Sequence, residues 1–168
     1  MPEKETIERA ERDKRQGKSP TTQAGEFVRE EMHHIREGKH GARSTKQAIA
    51  IGLSKARREG VDLPAPQKGT ASESTRRSAQ RALAKGKRRT RRVSGRRSGA
   101  VRAALKREGR RAASKPALAR QARSAARRRS AGARSAAGKK AARTKGRAGR
   151  AVAARKAART RARTRAHR

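Results

Sequence analysis

Apolar side chains recur at helical spacing in two short stretches of this chain and almost nowhere else. Val28, Met32 and Ile35 stand at i, i+4 and i+7 with Phe27 beside them, the stripe of an amphipathic helix. Thr21 or Thr22 is placed to cap its start, and Gly38 to end it, with Gly41 in the loop that follows. At about 100° per residue, Ala48, Ile49, Gly52, Leu53 and Ala56 share one face of a second helix. Ser44, three residues before Gln47, has capping-box spacing, and Gly60 suits the left-handed C-terminal position with Val61 folding back on Ala56. Ala48, Gly52 and Ala56 form a ridge of small residues. A glycine inside a helix costs about 1 kcal/mol against alanine, a cost explained by close approach of a neighbouring helix. Ile51 falls off this face and suggests a second contact surface. The pattern predicts a helical hairpin over residues 21–66, closed by Leu63 and the segment Pro64–Ala65–Pro66.

Upstream, residues 1–20 read as a charged helix and linker. Pro2 suits a first turn, Gly17 a stop, and Pro20 keeps Ser19 out of helical geometry. Glu5/Arg9, Glu8/Arg12 and Glu11/Arg15 are spaced i,i+4 with the acid first, each a few tenths of a kcal/mol. With only Ile7 and Ala10 as apolar side chains, this helix is expected to be frayed and solvated. Downstream, residues 67–168 carry no apolar stripe. Arg, Ala, Ser and Gly dominate, KAART and RSAA each recur, and glycines cut the segment into short Ala/Arg runs. Ser72-Glu73 and Ser114-Lys115-Pro116 have helix-start chemistry. Ala and Arg favour helix, whereas like charges at i,i+4 oppose it. The expected fold is all-α: a small helical-hairpin head plus a long disordered or nascent-helical tail.

Composition sharpens this division. The 168 residues hold 51 Lys+Arg and 13 Asp+Glu, a net charge of +38, and Phe27 is the only aromatic residue. Such low hydrophobicity and high charge do not offset the entropy of ordering a long chain. Residues 1–66 hold 14 basic and 11 acidic residues, a net +3, whereas residues 67–168 hold 37 basic residues against Glu73 and Glu108, a net +35. A near-neutral head joined to a basic arm implies a polyanionic partner. A tail at about 1.5 Å per helical residue presents a net positive charge roughly every 4 Å, close enough to track a duplex with one charge per about 1.7 Å. Arginine predominates, which suits bidentate phosphate contacts.

The expected phosphate-binding residues are Arg76, Arg77, Arg88, Arg89, Arg91, Arg92, Arg96, Arg97, Arg127, Arg128, Arg129, Lys139, Lys140, Arg143, Arg155, Lys156, Arg159 and Arg161. The partner is nucleic acid, duplex DNA first. Sequence-specific reading is unsupported, since the tail lacks aromatic stacking platforms. RNA or ribosome association is the alternative, and a protein-interaction module tethered to the nucleoid a third. Gln47, Arg57 and Arg58 on an exposed face would suit a helix-turn-helix, but the loop from Gly38 to Arg43 is longer than the usual turn. A packing hairpin fits better. Its few large apolar residues make a lone head marginal, so a homodimer through residues 21–66 is expected.

Other chemistry is thinly represented. There is no cysteine, no nucleophile–base set and no phosphate-cradling glycine loop, so no enzyme and no cofactor or small-molecule substrate is expected. His33, His34 and His40 are read as solvated or phosphate-facing, with no carboxylate or thiol to complete a metal site. The N-terminus is charged, not basic-then-apolar, and no apolar run reaches membrane-spanning length. A soluble, cytoplasmic, nucleoid-associated protein is expected.

The stretch REGKHGARSTKQAIAIGLSKARREG resembles a module of small basic bacterial proteins, built around Lys46–Ser54 and covering roughly residues 24–64. That family is catalogued mainly as a domain of unknown function, with some relatives labelled plasmid-stabilisation or DNA-binding proteins. The resemblance implies a DNA-linked role. The tail resembles bacterial histone H1-like arms in composition, with more Arg and fewer Pro than the usual Lys-Ala-Pro flavour.

Overall fold

The computed structural model describes residues 2–87 and 94–166. Among the described residues seven α-helices run in order: α1 Lys4–Arg15, α2 Pro20–Glu37, α3 Thr45–Arg58, α4 Glu73–Lys87, α5 Gly95–Lys106, α6 Lys115–Arg127 and α7 Ala131–Ala166, with a 3-10 turn at Arg110–Ala113. No strand occurs among the described residues, only an isolated bridge between Lys68 and Ala71. The chain divides into two units, Met1–Gln121 and Ala122–Arg168.

The first unit is built on the α2–α3 hairpin, and its helix ends follow local rules closely. Gly17, Gly38 and Gly60 take φ of +67°, +81° and +87°, and each is followed by a hydrogen bond that closes the helix end. Lys18 N–H donates to Asp13 O, Lys39 to His34 O and Val61 to Ala56 O, the Schellman arrangement three times over. Ser44 Oγ accepts from Gln47 N–H at 3.2 Å, and the Gln47 side chain returns to accept from Arg43 N–H at 2.8 Å. The start of α2 differs from expectation. Pro20 itself is the first helical residue and Ser19 the cap position, because proline's fixed φ suits N1 and its missing N–H costs nothing there.

Of the hairpin's packing residues, Phe27, Met32, Ile35, Ala48, Gly52 and Ala56 are buried, and Val28, Ile49 and Leu53 are partly buried. They fall into two clusters. Ala24, Phe27, Ala56, Val61 and Leu63 enclose Ala10 of α1, with Ile7 and Leu53 packed alongside. Met32, Ile35, Ala42 and Ala48 enclose Ala112 and Ala113, with Val28, Ile49 and Leu118 against them. The expectation that α1 is a solvated helix therefore fails: Ile7 and Ala10 lie on α2, and Thr6 is fully buried. Of its three designed ion pairs only Glu5–Arg9 closes, at 3.5 Å, and Arg9 Nε donates more tightly to Glu26 of α2 at 2.8 Å. A pair within one helix is weak, so a partner on the packed neighbour takes over.

Of the two expectations for the tail, disordered or nascent-helical, the disordered one is corrected: the described residues are mostly helical throughout. Helices occupy most of the described residues beyond 66. Serines set several boundaries, with Ser72, Ser114 and Ser130 hydroxyls accepting from the N–H of Thr75, Ala117 and Ala133. Between them run alanine and arginine, both strong helix formers. Helix α4 lies against α3 and buries Ala79 and Ala82. At their crossing, a Cβ on Gly86 would sit 2.0 Å from Arg57 O.

Residues 105–113 dock onto the hairpin's loop. Gly41 N–H donates to Leu105 O at 2.8 Å and Ala42 N–H to Gly109 O at 3.1 Å. Arg36 Nε donates to Ala113 O at 2.9 Å, and the buried Thr45 hydroxyl to Ala112 O at 2.7 Å. In the second unit, α7 breaks at Gly146, whose φ of 64° and ψ of 177° belong to a region open essentially to glycine alone.

Candidate nucleic-acid interface

Among the described residues, the basic side chains singled out from sequence sit on helices or short turns between them. On α4, Arg77 is exposed, but Arg76 is half-buried and already forms two 3.0 Å hydrogen bonds to Glu73. That pairing lowers the pKa of Glu73 and raises that of Arg76, so an anion has to compete for this arginine. Arg88, Arg89, Arg91 and Arg92 lie outside the described residues. Arg96 and Arg97 fall in the first turn of α5, where Arg96 is exposed. Arg127 ends α6, and Arg128 and Arg129 form the turn before α7; all three are exposed.

Helix α7 carries the densest charge. Lys139, Lys140 and Arg143 precede the break at Gly146, and Arg155, Lys156, Arg159 and Arg161 follow it, all exposed. Its 36 residues contain no Asp or Glu. Adjacent cations such as Lys139 and Lys140 point about 100° apart, so positive charge surrounds the helix and leaves no apolar face to bury. Lys139/Arg143 before the break and Arg155/Arg159/Arg163 after it are like-charge i,i+4 sets, which oppose helix formation unless an anion screens them. Arg150 is used locally: its guanidinium donates to Ala142 O at 2.7 Å, satisfying a carbonyl freed by the break. Thr144, Thr160 and Thr164 hydroxyls donate to carbonyls four residues back.

The hairpin offers less to a nucleic acid than its sequence suggested. Arg58 is exposed and Gln47 half-buried, but Arg57 is 5 % exposed and points inward. Its Nε donates to Leu63 O at 3.0 Å and an Nη to Pro64 O at 3.1 Å, tying down the segment that closes the hairpin. Burial pushes its pKa below the ordinary arginine value. An exposed recognition face containing Arg57 is therefore absent.

The first unit also holds a polar cluster that the sequence reading does not find. Glu30 and Glu31 of α2 are both buried, and Lys55 of α3 approaches them, its Nζ 3.2 Å from Glu30 Oε1 and 2.7 Å from Glu31 Oε2. The left-handed Gly38 turns the chain so that His40 returns to α2, its Nε2 3.2 Å from Glu31 Oε1. His34 lies alongside, its Nε2 2.8 Å from Glu3 Oε1 and its Nδ1 3.8 Å from Glu30 Oε1. The hydrogen bonds from His34 and then Lys39 hold the Glu3 carboxyl down at about 2. The sequence argument that no carboxylate accompanies the histidines is thus overturned by Glu31, while His33 remains exposed and apart. The signal was available in the i,i+3 spacing of Glu31 and His34, but His40 joins them only through the turn at Gly38.

No helix among the described residues is long and apolar enough to cross a membrane. A model of a family of unknown function, DUF6496, matches residues 15–68, the stretch that holds α2, α3 and the Glu31 cluster. No curated protein and no solved structure matches the chain.

Proposed function

We propose that the chain binds nucleic acid without base specificity, duplex DNA first, as a histone H1-like, nucleoid-associated protein whose basic helices neutralise phosphates. The observation that carries this reading is α7: exposed cations on all sides, no acid in 36 residues, and like-charge ladders that an anion would relieve. Plasmid stabilisation, the label borne by some proteins that the hairpin resembles, is a process such a protein would serve. Pairing of two chains through residues 21–66 would bring two basic arms to one duplex.

The test is binding of the full chain to duplex DNA over a range of salt concentrations. If about ten phosphates are engaged, log affinity falls against log salt with a slope near about −9. Exchanging Lys139, Lys140, Arg143, Arg155, Lys156, Arg159 and Arg161 for Gln flattens that slope. A flat response in the unaltered chain would sink the proposal. A tenfold preference for structured RNA of equal phosphate count would move the ligand to RNA.

A further inference from the structure

The Glu31 cluster poses an electrostatic problem. Two buried carboxylates, Glu30 and Glu31, face one partly buried ammonium, Lys55, leaving an excess negative charge in a water-poor site. Neither oxygen of Glu31 has a well-aligned hydrogen-bond donor, although the residue is fully buried. Buried polar atoms in this state call for an explanation such as an ion.

The two histidines are oriented as metal ligands are. His40 Nδ1 lies 3.0 Å from Gly41 O, an acceptor, so the neutral ring carries its proton there and turns the lone pair of Nε2 toward Glu31 Oε1. His34 Nε2 lies 2.8 Å from the Glu3 carboxylate, so its proton is on Nε2 and the lone pair on Nδ1. Each ring therefore donates outward, one to a carboxylate and one to a backbone carbonyl, and directs a lone pair inward. This is the outer-shell pattern that fixes ligating imidazoles. One ligand atom each of Glu31, His34 and His40 lies within 4.8 Å of the other two. Lys55 offsets part of the carboxylate charge, but imidazole lone pairs facing Glu30 and Glu31 repel those oxygens unless a proton or a cation lies between them.

We propose that Glu31, His34 and His40 bind a divalent cation of the zinc class. The donor set, two imidazoles and one carboxylate, matches three-ligand zinc chemistry with a fourth position left for water. The His34 and His40 side chains are 13 % and 15 % exposed, giving an ion a way in. Lys55 holds the second oxygen of Glu31, with its own charge matched by Glu30, and Lys39 faces Glu3 and Glu37 on the outside. The ion would tie the last turns of α2 to the loop that receives residues 105–113. A small head with one aromatic residue gains from such a staple.

The experiment is isothermal titration of the full chain, freed of metal with a chelator, with zinc chloride, alongside cobalt(II) absorption and thermal unfolding. One ion per chain is expected, with a tetrahedral cobalt spectrum and a melting temperature that rises with zinc and falls with chelator. His34→Gln and His40→Gln each weaken zinc affinity at least tenfold. Glu3→Gln weakens it about 10–100-fold through the outer shell. His33→Gln leaves it unchanged. No stoichiometric binding at micromolar zinc overturns the proposal, and so does binding that His33→Gln abolishes or that the His34 and His40 variants leave intact. Stability that depends on pH but not on zinc would identify the histidines as imidazolium partners of Glu30 and Glu31, and would equally overturn it. Should His40→Gln fail to fold, an octahedral cobalt spectrum in the unaltered chain refutes the site.

Discussion

Gly52 of α3 sits directly over Val28 of α2: a Cβ at Gly52 would lie 2.7 Å from Val28 Cα and 3.0 Å from its Cγ2. The interior glycine lets two helix backbones meet at a distance that no larger residue permits. Gly52→Ala should therefore destabilise the first unit by about 1–3 kcal/mol, the usual cost of overpacking, despite alanine's better helix propensity. Gly25, also helical but with nothing within 4 Å of its missing Cβ, is the control. Gly25→Ala should stabilise by about 0.5–1 kcal/mol. Thermal unfolding followed by circular dichroism compares the two; equal effects would refute the close approach.

Gly41→Ala tests the docking of residues 105–113. Its Cβ would fall 1.8 Å from Glu108 O and 2.8 Å from Gly109 O, both backbone atoms that cannot swing aside. Amide exchange should show positions 41 and 42 losing protection while α1 keeps its own. Cleavage by trypsin after Arg107, Arg110 or Arg111 should accelerate.

Arg57→Met keeps much of the side chain's bulk but removes the donors to Leu63 O and Pro64 O. Leaving the buried Leu63 carbonyl without a partner costs about 1–3 kcal/mol, and urea midpoints would register it. Because this arginine faces inward, DNA affinity at fixed salt should stay within about twofold wherever the variant is folded.

Gly146→Ala removes the one residue type that tolerates the break in α7. The flanking segments should fuse into a longer helix, raising the far-ultraviolet helical signal. The cations are untouched, so the salt slope of DNA binding should change little. A collapse of affinity would show that the break, and not charge alone, shapes the interface.

Glu73 supplies a pH signature. Hydrogen bonding to Arg76 sets its carboxyl below the ordinary value, so its support of α4 is complete above the ordinary carboxylate pKa and is lost as pH falls through the lowered one. A carbon-13 titration should place its midpoint below that of an unstructured peptide. Glu73→Gln should abolish the pH dependence of amide exchange in the first turn of α4 over that window.

The helix ends of the hairpin were readable because capping is local. Gly38, Ser44 and Gly60 each work through backbone groups a few residues away, and Phe27, Met32 and Ile35 announce one face by spacing alone. For the tail, composition leaves disorder and nascent helix both open, because its like charges oppose the helix that its alanine and arginine favour. In the structure, serine caps and helix propensity prevail at Ser72, Ser114 and Ser130. Ala112 and Ala113 could not be distinguished from other alanines in the same low-complexity run, yet they sit buried against Met32 and Ile35.

By itself the sequence determined the all-helical character, the hairpin with its caps, and the division between a near-neutral head and a strongly basic remainder. Those follow from propensity, spacing and charge, which act over a few residues or simply add. Only tertiary structure decided that Arg57 turns inward, that Gly41 receives Glu108 and Gly109, and that His40 returns to Glu31. Each depends on where distant backbone passes. The Arg36–Ala113 hydrogen bond spans 77 residues of chain, and short-range rules do not reach that far.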